Sequence, residues 1–220
     1  MSKEKSNELL IRVIIGIIGI PLIIFAVLHG GIFFFLFAFM LNGLCQYELL
    51  KMFENKDIHS LKIFSIILSS VSLIIYNLDF KYSLIMLILS FLILAATEIF
   101  RNEKIRNPLS PAVSLLSFVY ITLSMLMLLM LEKEYQLLMF VIVLIWVNDS
   151  EAYFTGKSIG KHKLTSVSPN KTIEGIIGGL LFTIIAGFIV YYFKIIDIDI
   201  KNILIIIFIV TFVGTIGDIF

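Results

Sequence analysis

Eight apolar runs, each long or nearly long enough to cross a bilayer as a helix, leave this chain few folds to choose from. They cover residues 11–28, 32–50, 63–78, 82–96, 112–131, 137–147 (with a polar continuation), 176–193 and 203–219. A helix rises about 1.5 Å per residue, so about 20 mostly apolar residues cross the hydrocarbon core. The third and fourth runs lie nearest that minimum. The runs are continuous rather than alternating, which points to helices and not to barrel strands. No small-x-small cleavage pattern follows the first run, and a second begins almost at once, so it reads as a span rather than a cleaved signal. The expected fold is all-α: a polytopic integral membrane helix bundle of about eight transmembrane helices.

Composition agrees. The 220 residues are 60% apolar and 15% charged, with a mean hydropathy of +1.06. Soluble domains run at roughly 45–50% apolar and about 25% charged, and disordered chains are poorer in apolar residues still. The single cysteine, Cys45, excludes an internal disulfide framework.

Charge placement sets the expected orientation, because lysine and arginine favour the cytoplasmic side. With the amino terminus inside and each span reversing the chain, the inner segments hold Lys3, Lys5, Arg12, Lys51, Lys56, Lys62, Arg101, Lys104, Arg106, Lys157, Lys161, Lys163 and Lys171. The outer segments hold Lys81, Lys133, Lys194 and Lys201, a division of 13 against 4 among the 17 basic residues. The expected organisation is one membrane domain, 1–220, with transmembrane helices over 1–134, catalytic-type helices over 135–220 and a cytoplasmic polar loop over 148–175. The expected location is the cell (inner) membrane, multi-pass.

Chemistry is expected where this apolar pattern breaks. Phe33-Phe34-Phe35 and Met125, Met127 and Met130 read as lipid or packing contacts. The segment from Trp146 to Gly156 differs, since it begins inside an apolar run and carries Asn148, Asp149 and Glu151 onward without a turn signal until Gly156. On a helix, Asp149 shares a face with Ala152 and Tyr153, while Glu151 lies nearer Asn148. Carboxylates at membrane depth are costly and normally face a cavity, a cation or one another. The small residues and lysines after this helix, from Gly156 to Lys163 and from Ser166 to Gly175, form a candidate phosphate cradle. Gly156 to Lys161 is not a P-loop: the glycines stand one position too close and His162 replaces the needed Ser or Thr. The plainer account is a basic connector followed by a helix that Ser168 or Thr172 caps, with Glu174 in its first turn. Asp218 near the last run offers a second carboxylate, and with Asp149 it suits a divalent cation holding a nucleotide triphosphate. Its plainer reading is a helix-terminal charge. His29, His59 and His162 have no metal-ligand spacing, and no nucleic-acid module is present.

These residues carry a resemblance. Trp146-x-x-Asp149-x-x-Ala152-Tyr153-x-x-Gly156-Lys157-x-x-Gly160-Lys161-His162-Lys163-Leu164, then Ser168-Pro169-x-Lys171-Thr172-x-Glu174-Gly175-x-x-Gly178-Gly179, resembles the phosphatidate cytidylyltransferases, the CDP-diacylglycerol synthases. Gly217-Asp218-Ile219-Phe220 resembles a further element of that family on a later helix. The resemblance implies a membrane nucleotidyltransferase of phospholipid biosynthesis that joins CTP to phosphatidic acid, releasing pyrophosphate. It implies Mg²⁺ or another divalent cation held by Asp218 and Asp149, and Asp149, Lys171 and Asp218 as catalytic residues. It implies substrate contacts from Lys157, Lys161, Lys163, Ser168, Thr172 and Glu174. Expected partners are CTP, phosphatidic acid, the lipid bilayer and a possible homodimer, with no nucleic acid. Asn170 stands where the family often has Lys. The family pattern continues beyond Phe220 with Ser-x-x-Lys-Arg, Lys-Asp and Pro-Gly-His-Gly-Gly…Asp-Arg elements not found in this chain, so a truncated member of low activity is expected. Rival readings are a small transporter or channel with Asp149, Glu151 and Asp218 along an ion path, and a related membrane enzyme with another lipid acceptor.

Overall fold

The structure, a computed structural model, describes residues 3–101, 107–165, 168 and 171–217, with side chains described from Gly16 onward. It is helical: α1 (Lys3–His29), α2 (Gly31–Glu54), α3 (Lys62–Ile75), α4 (Phe80–Ile99), α5 (Ser110–Ser117), α6 (Leu123–Leu131), α7 (Tyr135–Ile159), α8 (Ile173–Tyr192) and α9 (Ile200–Gly217). A π-helical turn, Phe118–Thr122, joins α5 to α6, and a 3-10 turn, Glu132–Glu134, precedes α7. Five helical stretches are long and apolar enough to cross a membrane: Gly31–Glu54, Phe80–Ile99, Ser110–Ile159, Ile173–Tyr192 and Ile200–Gly217. Gly16–His29 and Lys62–Ile75 are apolar but shorter. The chain is therefore a multi-pass, all-α membrane protein, while these lengths do not establish the expected count of eight.

The chain forms two compact units, Met1–Lys133 and Glu134–Phe220. In the first, many large apolar side chains point outward, and the interior mixes apolar residues such as Phe34, Leu50 and Phe118 with small and polar ones. Along α2 the buried stripe is Phe34, Ala38, Asn42, Gln46 and Leu50, at strict i, i+4 spacing. The neighbouring helices of this unit bury serines: α3 buries Ser65, Ser69 and Ser72, α4 buries Ser83 and Ser90, and α5 buries Ser110, Ser114 and Ser117. In lipid, outward-facing Leu and Ile lose nothing, and helices associate through small residues and interhelical hydrogen bonds. Asn42 donates to Ser69 Oγ at 3.3 Å, and Gln46 donates to Thr122 Oγ1 in the π turn. Gly30 and Gly31, with φ of 59° and 53°, turn α1 into α2, and the Gly31 N–H is held by the Glu132 carboxylate. A Cβ on Gly30 would stand 2.9 Å from Glu132 Oε1, so glycine is required there for space as well as backbone.

The second unit packs α7, α8 and α9 differently. Its apolar core is Phe140, Leu144, Ile203, Ile207 and Val210. Toward the polar end of α7, glycine takes over. Gly175, Gly178 and Gly179 of α8 lie against Asn148, Ala152, Thr155 and Gly156 of α7 so closely that a Cβ on Gly179 would meet Asn148 O and Oδ1 at 2.9 Å. Two helix backbones are thereby brought into contact just where the polar segment begins.

Candidate active site

The site grows from the end of α7. Gly156 does not stop the helix. It faces α8, where Thr172 Oγ1 and Gly175 Cα fill the space a side chain would need, and the helix runs on to Ile159. The connector proper is therefore 160–172, shorter than the polar segment 148–175 read from sequence. Gly160 ends α7 by turning extended (φ −61°, ψ 122°), and a Cβ there would meet Thr172 Oγ1 and Cγ2 at 2.8 Å, so the close approach of Thr172 requires glycine. Of the two candidate caps, Thr172 is the one that caps α8: its Oγ1 accepts from Gly175 N at 3.1 Å. One threonine oxygen thus packs on both glycines of α7 and starts α8.

Short backbone bonds close the connector. Leu164 N donates to Lys171 O at 2.9 Å and Ile173 N to His162 O at 2.9 Å, with Lys163 bridged antiparallel to Thr172. Lys171 N donates to Ser168 O at 3.1 Å. The Glu174 carboxylate clamps the returning strand, accepting from Lys161 N at 3.1 Å and His162 N at 3.2 Å, with His162 Nδ1 at 2.6 Å. Glu174 sits in the first turn of α8, where the helix dipole also favours a negative charge.

These elements enclose a cavity of about 440 Å³ within the second unit, lined by residues of α7, the connector, α8 and Thr215 of α9. Asp149, Lys157, Ser168, Lys171 and Thr172 line it together, so the structure gathers five of the nine residues singled out from sequence. Lys161, Lys163 and Glu174 are not among the lining residues; the first two are exposed nearby, and Glu174 holds the connector in shape. Asp218 lies outside the described residues. Lys157 folds back along α7, its Nζ 5.5 Å from the Tyr153 ring centre and 3.4 Å from Tyr153 Oη.

Ile176 and Thr215 also line the cavity and were not singled out from sequence; Asn148, noted there only as part of the polar segment, lines it too and is 5% exposed. Asn148, Ala152 and Gly156 repeat at i, i+4 and line one wall, whereas Glu151, expected near Asn148, does not line it. That spacing was readable. The approach of Thr215 needs the fold of α9 and had no local signal.

Lysines, hydroxyls and a carboxylate line one cavity in a unit of apolar helices, and the class the fold defines is a multi-pass helical membrane protein. The model of the cytidylyltransferase family matches residues 10–220, and the chain belongs to that family. A phosphatidate cytidylyltransferase of Staphylococcus epidermidis is 30% identical over 220 aligned positions, covering 94% of this chain and 82% of that protein. Phosphatidate cytidylyltransferases of Staphylococcus haemolyticus and Staphylococcus aureus are each 29% identical, with the same coverage. The family match gives no support to the transporter reading.

Proposed function

We propose that the chain is a membrane nucleotidyltransferase that transfers CMP from CTP to phosphatidic acid, giving CDP-diacylglycerol and pyrophosphate. The observation that carries this reading is the cavity in which Lys157, Lys171, Ser168 and Thr172 meet Asp149. A phosphate oxygen of the lipid attacks the α-phosphorus of CTP, a new P–O bond forms, and the bond to the β-phosphate oxygen breaks as pyrophosphate leaves. Phosphoryl chemistry of this kind needs in-line positioning and neutralised charge more than covalent help. Lys171 and Lys157, with the Ser168 and Thr172 hydroxyls, contact phosphate oxygens. Lys161 and Lys163, exposed beside the cavity, raise the local concentration of the triphosphate.

Mg²⁺ sites for nucleotides use one or two carboxylates completed by phosphates and water. Asp149 is a hard oxygen donor lining the cavity, which fits such an ion; we assign it as a protein ligand, together with Asp218 on the strength of the motif resemblance alone. When bound, the cation neutralises the charge gathering on the triphosphate. Asp149 then fixes where that charge sits, and Lys171 stays with the departing pyrophosphate. The excess of basic residues in the segments counted as inner supports a site open to the cytoplasm, at the cell membrane; a homodimer remains part of the reading.

The test is full-length protein in phosphatidylcholine micelles with CTP, Mg²⁺ and phosphatidic acid. CDP-diacylglycerol and pyrophosphate are expected in equal amounts, and neither when ATP replaces CTP. Lys171→Ala is expected to raise KM for CTP by roughly tenfold or more, the loss of one charge-assisted phosphate contact. Nucleotide-independent ion flux without lipid product would overturn the reading.

A further inference from the structure

We propose that Asn148 reads the ester linkage of the lipid substrate, its carboxamide N–H donating to an acyl ester carbonyl, so that the pocket selects diacyl over dialkyl phosphatidate. This rests on the cytidylyltransferase reading above. Asn148 is 5% exposed, lines the cavity, and has no hydrogen-bond partner for its carboxamide among the described residues. A carboxamide so buried normally finds a partner. Cross-helix glue is the ordinary role of such a group in a membrane bundle. Its Nδ2 lies 3.8 Å from the Cβ position of Gly214 and its Oδ1 2.9 Å from that of Gly179, and neither glycine offers a side chain to bond. Asn148 also lines the cavity, so a molecule bound there is within its reach.

Depth says which part of which substrate lies there. The Lys157 ammonium turns back to the level of Tyr153, and Asn148 is five residues further toward the apolar run, about 7.5 Å along the helix. A glycerophospholipid whose phosphate sits among the lysines extends its glycerol and ester carbonyls in just that direction, ahead of its chains. The surroundings of Asn148 also fit an ester rather than a nucleobase. Ala152 and Ile176 are apolar, and the Thr215 hydroxyl already donates to Thr211 O at 2.7 Å. An ester carbonyl needs one donor, which the amide supplies; a base edge needs several.

The experiment compares diacyl phosphatidate with di-O-alkyl phosphatidate of equal chain length, in phosphatidylcholine vesicles with full-length protein. The wild type is expected to favour the diacyl lipid in kcat/KM by roughly five- to tenfold, the worth of one net hydrogen bond. Asn148→Leu is expected to bring the ratio near one with KM for CTP unchanged, and Asn148→Gln to restore part of it. A ratio that survives the substitution, or a shift in KM for CTP instead, overturns the assignment. Trp146, the single tryptophan, stands two residues away and reports binding without turnover. Its fluorescence should be quenched by a small fraction of phosphatidate with brominated acyl chains in the wild type and less so in Asn148→Leu. Equal quenching overturns the proposal. A wild type that makes no CDP-diacylglycerol from either lipid counts against the enzymatic reading, whereas the quenching arm still decides the role of Asn148 in binding phosphatidate.

Discussion

The two units solve the same problem, helix association in lipid, with different residues. In Met1–Lys133 the contacts are made by hydroxyls and amides that face one another: Asn42 with Ser69, Gln46 with Thr122, Ser65 with Ser114 at 3.4 Å. In Glu134–Phe220 glycines bring α7 and α8 together beside the apolar core, and polar residues of α7 line a cavity. Polar glue consumes donors and acceptors inside the bundle. Glycine contacts let backbones touch beside a cavity that Asp149, Lys157 and Thr172 line. The first arrangement makes a scaffold and the second makes a site.

Breaking the glycine seam therefore has the largest expected effect. A Cβ on Gly178 would lie inside the Thr155 side chain, at 2.5 Å from its Cβ and 2.6 Å from its Cγ2. Gly178→Leu should force α7 and α8 apart, costing more than the ~1–3 kcal/mol usual for overpacking and abolishing CDP-diacylglycerol formation. Gly43, on α2 of the first unit, has nothing within 4 Å of its Cβ position. Gly43→Leu should leave both activity and thermal unfolding in detergent close to wild type. Comparable losses in both variants would mean the contrast between the units is wrong.

The fold class was legible because apolar runs report bilayer crossing directly, and the inside-out pattern of serines follows from lipid being the outer solvent. The crossing count was less legible. Lys62–Ile75 is only 14 residues, and within the apolar stretch Ser110–Ile159 the gap that sequence leaves between 131 and 137 coincides with the 3-10 turn Glu132–Glu134. Within the site, the motif from Trp146 to Gly179 located the cavity, since Asp149, Lys157 and Lys171 are close in sequence to the helices that build it. Glycine misled locally: Gly156 looked like a stop, but whether a glycine ends a helix or receives a neighbour depends on what lies across from it. The role of Glu174 was likewise hidden, because a carboxylate thirteen residues from Lys161 reveals no clamp until the connector folds back.

That clamp sharpens the comparison at intermediate size. Glu174→Ala removes the acceptor for two backbone N–H groups and the His162 ring, loosening the connector that carries Lys171. KM for CTP should rise several-fold while kcat falls less, since positioning rather than the reacting groups is lost. Glu174→Gln keeps an acceptor and should recover much of it. Thr172→Ala removes the α8 cap, worth about 1 kcal/mol, and leaves a void beside Gly156 and Gly160; Thr172→Ser should restore the cap but not the void. An alanine variant with unchanged KM for CTP would separate the connector from substrate binding.

The smallest effect is expected in the scaffold. Gln46 and Thr122 form a buried pair across α2 and the π turn, and Gln46 Oε1 has no partner of its own. Hydrogen bonds between membrane helices average about 0.6 kcal/mol in double-mutant cycles, because the separated helices also find partners. Gln46→Leu, Thr122→Val and the double variant should give a coupling of that order in unfolding from detergent, with CDP-diacylglycerol formation unchanged. Gln46→Leu alone should come close to neutral, since it also removes the orphaned oxygen. A coupling of several kcal/mol would show that this unit depends on one polar pair. The view that it rests on many small, exchangeable contacts around Asn42 and the serines would then fail.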